Sequence, residues 1–156
     1  MEKRYYIAYG SNLNTEQMKV RCPNARVIGT AAIKDYQLLF KGSKTGSYLT
    51  IEPKAGASVP VAVWEVTEAC EASLDRYEGY PAFYYKKDMI LDIRGIKTGK
   101  VRRRTAFAYI MHEERELGIP NHYYVKTCIN GYRSFGFDEK HIFDAIEISR
   151  RNAYEN

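Results

Sequence analysis

Two places in this chain carry residues whose types and spacing suit chemistry. One is the run Tyr9-Gly10-Ser11-Asn12-Leu13, and the other is Glu78 within Leu74-Asp75-Arg76-Tyr77-Glu78-Gly79-Tyr80-Pro81. The first reads as a small polar turn between a strand and a helix. Such a turn leaves backbone N–H groups without acceptors inside the helix, which favours a carboxylate or a phosphate. Gly10 permits close approach, and Ser11 and Asn12 add side-chain donors. The GxxxxGK[ST] spacing of a phosphate loop is absent. In the second segment, Cys70, Leu74 and Tyr77 stand at i, i+4 and i+7 of a predicted helix and define its inward stripe. Glu78, four residues after Leu74, flanks that stripe, while Glu71, Asp75 and Arg76 are expected to face water. A carboxylate so placed loses solvent, and its pKa rises toward the range of a general base or acid. Each segment also has a plain reading: a well-capped turn, and a Glu that snorkels outward or pairs with a cation at a helix C-terminus that disfavours its charge. Taken together, they point to a small-molecule enzyme that needs neither a metal nor a cofactor.

The other reactive residue types support no competing site. His112, His122 and His141 show no HExxH pattern or ligand spacing, so they read as surface or capping residues and no metal is expected. Ser11 lacks a GxSxG context. Cys22, Cys70 and Cys128 are widely spaced and odd in number, which predicts free thiols in a reducing cytosol rather than a disulfide framework or zinc site. Cys128 falls in a Tyr-rich helix without a neighbouring base and reads as a core thiol. The formal charge of +5 is modest. Its densest cluster, Arg102-Arg103-Arg104 near Lys97 and Lys100, reads as a solvated hairpin end, without the long basic face expected of a nucleic-acid binder. No segment has the apolar length needed to span a bilayer, and no signal peptide is evident.

The elements that must position these residues can be read along the chain. Arg4 to Tyr9 is a strand, and Asn14 caps a short helix that runs to about Cys22, where Pro23 stops it. Ala25 to Lys41 holds one long or two short strands, followed by a turn at Gly42 to Gly46 and a short strand from Tyr48 to Glu52. Val59 to Val66 is apolar on both sides, as an interior strand is, with Pro60 at its start. Thr67 caps the helix that ends near Gly79. Phe83 to Ile93 and Val101 to Met111 form a hairpin, and two helices beginning at Asn121 and Asp138 close the chain. Strands first and helices last predict an α+β class in one domain over residues 1–156, with a curled sheet or small barrel. The 14 Tyr suit half-buried positions at a core edge or around a polar pocket.

Tyr9-Gly10-Ser11-Asn12-Leu13 together with Leu-Asp-x-x-Glu-Gly at Leu74 to Gly79 resembles the γ-glutamylcyclotransferase family. The resemblance extends to Pro120-x-x-x-Tyr124 and Gly131-x-x-x-x-Gly136, nearly the whole chain. It implies a small mixed β-barrel flanked by α-helices, with a pocket at the N-terminal loop. It also implies intramolecular aminolysis: the α-amine of a γ-glutamyl group attacks its own side-chain carbonyl and releases 5-oxoproline and a free amine or amino acid. Glu78 matches the family's catalytic Glu, Gly10 to Leu13 match its substrate loop beside Tyr9, and Tyr85 and Tyr124 match pocket tyrosines. The implied partner is a small γ-glutamyl substrate, without cofactor, nucleic acid or membrane, in the cytoplasm. The alternatives are a γ-glutamyl deprotection step in a biosynthetic pathway, or a noncatalytic small-molecule-binding module of the same fold. Lys41 to Gly46 and Glu113 to Pro120 are candidates for the rim that recognises the leaving amine.

Overall fold

Six strands and four helices make up the computed structural model, which describes residues 3–43 and 46–155. Strand β1 (Arg4–Ala8) leads through a single 3-10 turn, Ser11–Leu13, into helix α1 (Thr15–Arg21). Asn14 caps α1 by accepting from the Gln17 N–H at 3.2 Å. Two long strands follow, β2 (Arg26–Ser43) and β3 (Gly46–Val66), then α2 (Glu68–Glu78), capped by Thr67. The hairpin of β4 (Tyr84–Gly95) and β5 (Val101–Met111) precedes the short β6 (Glu116–Leu117). The chain continues through α3 (His122–Phe135), capped by Asn121, to α4 (Lys140–Glu155).

The strands pair in the order β3-β1-β5-β4-β2, and β2 pairs again with β3, which closes a five-stranded barrel. β6 adds to β2 outside the ring. At the β2–β4 seam, Gly29 faces Gly95. A Cβ on Gly29 would lie 2.4 Å from the Arg94 carbonyl oxygen, so a bare backbone is what lets these strands meet. The barrel is filled by Phe40, Ile51, Val59, Val61, Val63 and Phe107, and Met18, Leu74, Tyr132 and Ile142 pack the helices onto it.

Two expectations change. Tyr48–Glu52 and Val59–Val66 belong to one strand, and Pro60 sits inside it opposite Ala32. The Pro is tolerated because β1 reaches β3 only as far as Ala62, so at Pro60 only β2 is paired alongside. The second change concerns Cys22 and Cys70, which form a disulfide (S–S 2.12 Å) joining the end of α1 to the first turn of α2. Two thiols expected to be free are thus bridged, because the fold brings together positions 48 residues apart. Cys128 is a buried free thiol. Arg102, Arg103 and Arg104 are exposed, and no described helix is long and apolar enough to cross a membrane. The turn expected at Gly42–Gly46 includes positions 44–45, which lie outside the described residues.

Candidate active site

β1 delivers Tyr9 and Gly10 to one end of the barrel. Tyr9 is buried, and its hydroxyl donates to the Tyr109 carbonyl at 2.6 Å. The turn after Gly10 closes on itself, with the Leu13 N–H donating to Gly10 O (3.1 Å) and the Asn14 N–H to Ser11 O (3.0 Å). Among the described residues, the N–H groups of Ser11 and Asn12 have no protein acceptor. Helix α3 seats the turn from behind. A Cβ on Gly131 would stand 2.6 Å from the Leu13 carbonyl carbon and 2.7 Å from the Asn14 nitrogen, so the bare backbone of α3 makes the contact.

Glu78 enters from the last turn of α2. Gly79 then ends the helix in the left-handed conformation (φ 65°), which a residue without Cβ adopts freely. Glu78 is half-buried and lines a cavity of about 500 Å³ together with Tyr9, Gly10, Ser11, Asn12 and Tyr124. Burial pushes its carboxyl up to about 7, while the positive charge of Arg21 pulls in the opposite direction. The rest of the lining is mostly aromatic: Tyr6, Tyr48, Tyr77, Phe83, Tyr84 and Tyr109. Tyr48 meets Tyr124 edge-on with ring centres 5.1 Å apart, and Phe83 meets Tyr84 at 5.2 Å. The Leu49 peptide is gripped from both sides. Its N–H donates to the Tyr124 hydroxyl (3.1 Å), and its carbonyl accepts from the Tyr84 hydroxyl (2.9 Å).

Of the residues singled out in the sequence, Tyr9, Gly10, Ser11, Asn12, Glu78 and Tyr124 come together around this cavity. Leu13 and Tyr85 are not part of its lining. Leu13 is wholly buried beneath the turn. Tyr85 points away, and its hydroxyl donates to Glu113 at 2.5 Å. Neighbouring residues in a strand face opposite sides, so Tyr84 occupies the cavity wall instead. Tyr77, read as part of the buried stripe, is 44% exposed and lies at the cavity wall, covered on one face by the Arg21 guanidinium 3.5 Å from its ring centre. Glu71 and Asp75 do not simply face water: Lys86 bridges them at 2.6 and 2.8 Å, Arg4 pairs with Glu71, and Tyr109 donates to Asp75. The two proposed rim segments meet each other instead. Gly42, Gly46 and Glu114 to Ile119 line a separate depression. Buried Lys41 pairs with Glu52 and donates to the Glu113 carbonyl.

Reasoning from sequence missed Tyr6, Tyr84, Tyr109 and Arg21. Strand alternation from Tyr84 was the available signal for one of them. Nothing local marks Arg21, whose partners Asn12 and Tyr77 come from other elements.

The arrangement offers a carboxyl that titrates near neutrality beside unpaired backbone donors. A protein nucleophile is poorly served. Burial pushes the Cys128 thiol up to about 12, and the Ser11 hydroxyl lies 3.2 Å from the Tyr77 hydroxyl rather than beside a strong base. The chemistry that fits is proton transfer to and from a substrate that brings its own nucleophile.

A family model described as gamma-glutamyl cyclotransferase, AIG2-like, matches residues 6–126. The human gamma-glutamylcyclotransferase is 30% identical over 142 residues, covering 86% of this chain and 73% of the human one. The mouse gamma-glutamylcyclotransferase is 29% identical, covering 87% and 73% respectively. A solved structure titled gamma-glutamyl cyclotransferase superposes with a TM-score of 0.77 at 26% identity, covering 96% of this chain and 87% of that one.

Proposed function

This chain belongs to the gamma-glutamyl cyclotransferase, AIG2-like family, and we propose that its cavity carries out that family's cyclisation with Glu78 as the proton carrier. The observation that carries the residue assignment is the half-buried Glu78, whose carboxyl burial pushes up to about 7, lining the same cavity as Ser11 and Asn12.

The substrate is a γ-glutamyl amine or amino acid. Its α-ammonium group cannot attack until it loses a proton, which Glu78 in its ionised form accepts. The freed amine then attacks the γ-carbonyl carbon of the same glutamyl group. Tethering makes this a five-membered ring closure and removes the entropy cost of bringing in a second molecule. A C–N bond forms, and the carbonyl oxygen carries the developing negative charge. The amide C–N bond then breaks as the proton held by Glu78 passes to the leaving nitrogen. The again ionised Glu78 takes the second proton from the ring nitrogen, which becomes the lactam N–H, and hands it to the departing amine, which leaves as an ammonium group. The products are 5-oxoproline and a free amine or amino acid, with no water consumed. The Ser11 and Asn12 N–H groups and the Tyr124 hydroxyl supply hydrogen bonds to the substrate's oxygens. A cavity of about 500 Å³ accommodates a small substrate of this class. With Cys22 and Cys70 bridged, the free-thiol argument for a cytoplasmic setting falls away, and the reading names no compartment.

The test is a panel of γ-glutamyl amino acids and amines, with 5-oxoproline followed by mass spectrometry. Glu78→Gln keeps the shape and removes the base, so turnover falls by about 10²–10⁴-fold while substrate still binds. Full turnover in Glu78→Gln, or release of free glutamate in place of 5-oxoproline, sinks the reading.

A further inference from the structure

Asn12 uses both ends of its side-chain amide. Its Oδ1 accepts from an Arg21 guanidinium N–H at 2.6 Å, and its Nδ2 donates to the Tyr6 hydroxyl oxygen at 2.9 Å. Arg has donors only, which fixes the amide orientation. The NH2 group must then point at Tyr6. A phenolic oxygen that accepts a bond keeps its own proton to give. Among the described residues, the Tyr6 hydroxyl has no acceptor for that proton. Tyr6 lines the cavity. Among the other cavity tyrosines, Tyr9, Tyr84 and Tyr109 donate to protein oxygens, while the Tyr124 hydroxyl, like that of Tyr6, accepts from a protein N–H.

Resting on the cyclisation proposed above, we infer that Arg21, Asn12 and Tyr6 form a donor relay that presents the Tyr6 hydroxyl proton to the oxyanion that develops on the γ-carbonyl. Tyr6 is then a catalytic residue, and Arg21 a positioning residue acting through Asn12. Three observations besides the hydrogen bonds support this. Arg21 is clamped over Tyr77, so its guanidinium has a fixed plane. Tyr6 is 4% exposed, so water does not compete for its proton. Burial and the nearby Glu78 raise the Tyr6 pKa, so the phenol stays protonated. A neutral phenol gives its strongest bond when charge appears on the acceptor, which places its effect in kcat.

Tyr6→Phe removes only the hydroxyl. Its kcat falls about a hundredfold with KM within about threefold, the range found on removing one oxyanion donor. Arg21→Met lowers kcat as well and moves the acidic limb of kcat/KM to higher pH, because the charge opposing the rise in Glu78 is gone. The groups around Glu78 in this titration are Arg21 from α1, Tyr6 and Tyr9 from β1, Tyr77 from α2 and Tyr84 from β4. Arg21→Lys keeps the charge and returns the limb toward its original place. A readout independent of turnover is the Asn12 side-chain amide in ¹H–¹⁵N spectra. Its protons are expected to be protected from exchange in the parent protein, and loss of the Arg21 bond at Oδ1 is expected to shift their resonances and weaken that protection in Arg21→Met.

Tyr6→Phe at full kcat, in a parent that makes 5-oxoproline, overturns the relay and leaves the cyclisation standing. A parent that makes no 5-oxoproline from any substrate overturns the cyclisation and the oxyanion role with it. An Asn12 amide indifferent to Arg21→Met overturns the relay whatever the turnover.

Discussion

Replacing Gly131 by Ala tests whether the back of helix α3 holds the substrate turn in place. Gly131 is fully helical, so on intrinsic propensity the exchange adds about 1 kcal/mol of stability. The surroundings oppose this. The new methyl meets the Leu13 carbonyl carbon at 2.6 Å, the Asn14 nitrogen at 2.7 Å and Leu13 Cβ at 2.8 Å. Two of these are backbone atoms and cannot rotate away. The turn must retreat by about 0.8 Å to reach ordinary contact at 3.4 Å. Overpacking of this kind costs about 1–3 kcal/mol, which outweighs or matches the propensity gain. The expected net loss is about 1 kcal/mol, a fall in Tm of about 2–4 °C. Activity is more sensitive, because a displacement near 1 Å in a positioning element costs about 10²-fold. Circular dichroism melting gives the first quantity and 5-oxoproline release the second. A variant that is more stable than the parent and turns over normally would mean that α3 does not seat the turn, and the packing argument would be wrong.

Glu78 and the Cys22–Cys70 bridge carry the remaining predictions. The folded pKa of Glu78 is about 7 against an ordinary value of 4.5, so the folded state binds this proton more tightly than the unfolded chain does. Stability therefore falls as pH rises from 4.5 to 7, by about 3 kcal/mol in all, and denaturant midpoints of Glu78→Gln show no such slope; equal slopes in both proteins refute the assignment. The same titration places the acidic limb of kcat/KM near pH 7, activity growing as Glu78 ionises. The Cys22–Cys70 bridge closes a long loop, with a separation of 48 residues, so its reduction lowers stability by about 2–4 kcal/mol. Thiol titration of the unfolded, unreduced chain finds Cys128 alone; three titratable thiols would show the bridge to be absent.

Local chemistry made much of the fold legible. Asn14 and Thr67 each cap the helix that the sequence assigns to them, and the helix read as beginning at Asn121 starts one residue on with Asn121 as its cap, because a cap is a matter of three or four adjacent residues. Gly79 ends its helix in the left-handed conformation, where the sequence placed that end, for the same reason. Features made by distant partners were hidden. Closure of the barrel depends on Gly29 meeting Gly95, and the disulfide on α1 meeting α2. The continuation of β3 through Pro60 depends on where β1 stops. In the candidate site, Glu78 and the Tyr9–Asn12 run were visible as types and spacing. Tyr85 was named through the family resemblance, and the structure lines the cavity with its neighbour Tyr84, which lies on the opposite face of the strand. Arg21 was beyond reach, since its meaning lies wholly in Asn12 and Tyr77.

The seat that Gly131 provides also ties the working state of the pocket to the history of the chain. The turn at Ser11–Leu13 is synthesised long before α3, and until α3 arrives it lacks the helix that backs Leu13 and Asn14. A chain in which the strands have paired but α3 has not docked owns every residue of the pocket and lacks its shape. Such a chain also lacks Tyr124 in the cavity wall, so it is expected to be silent toward substrate until α3 docks. Recovery of turnover during refolding therefore reports the docking of α3, and lags behind the recovery of strand signal.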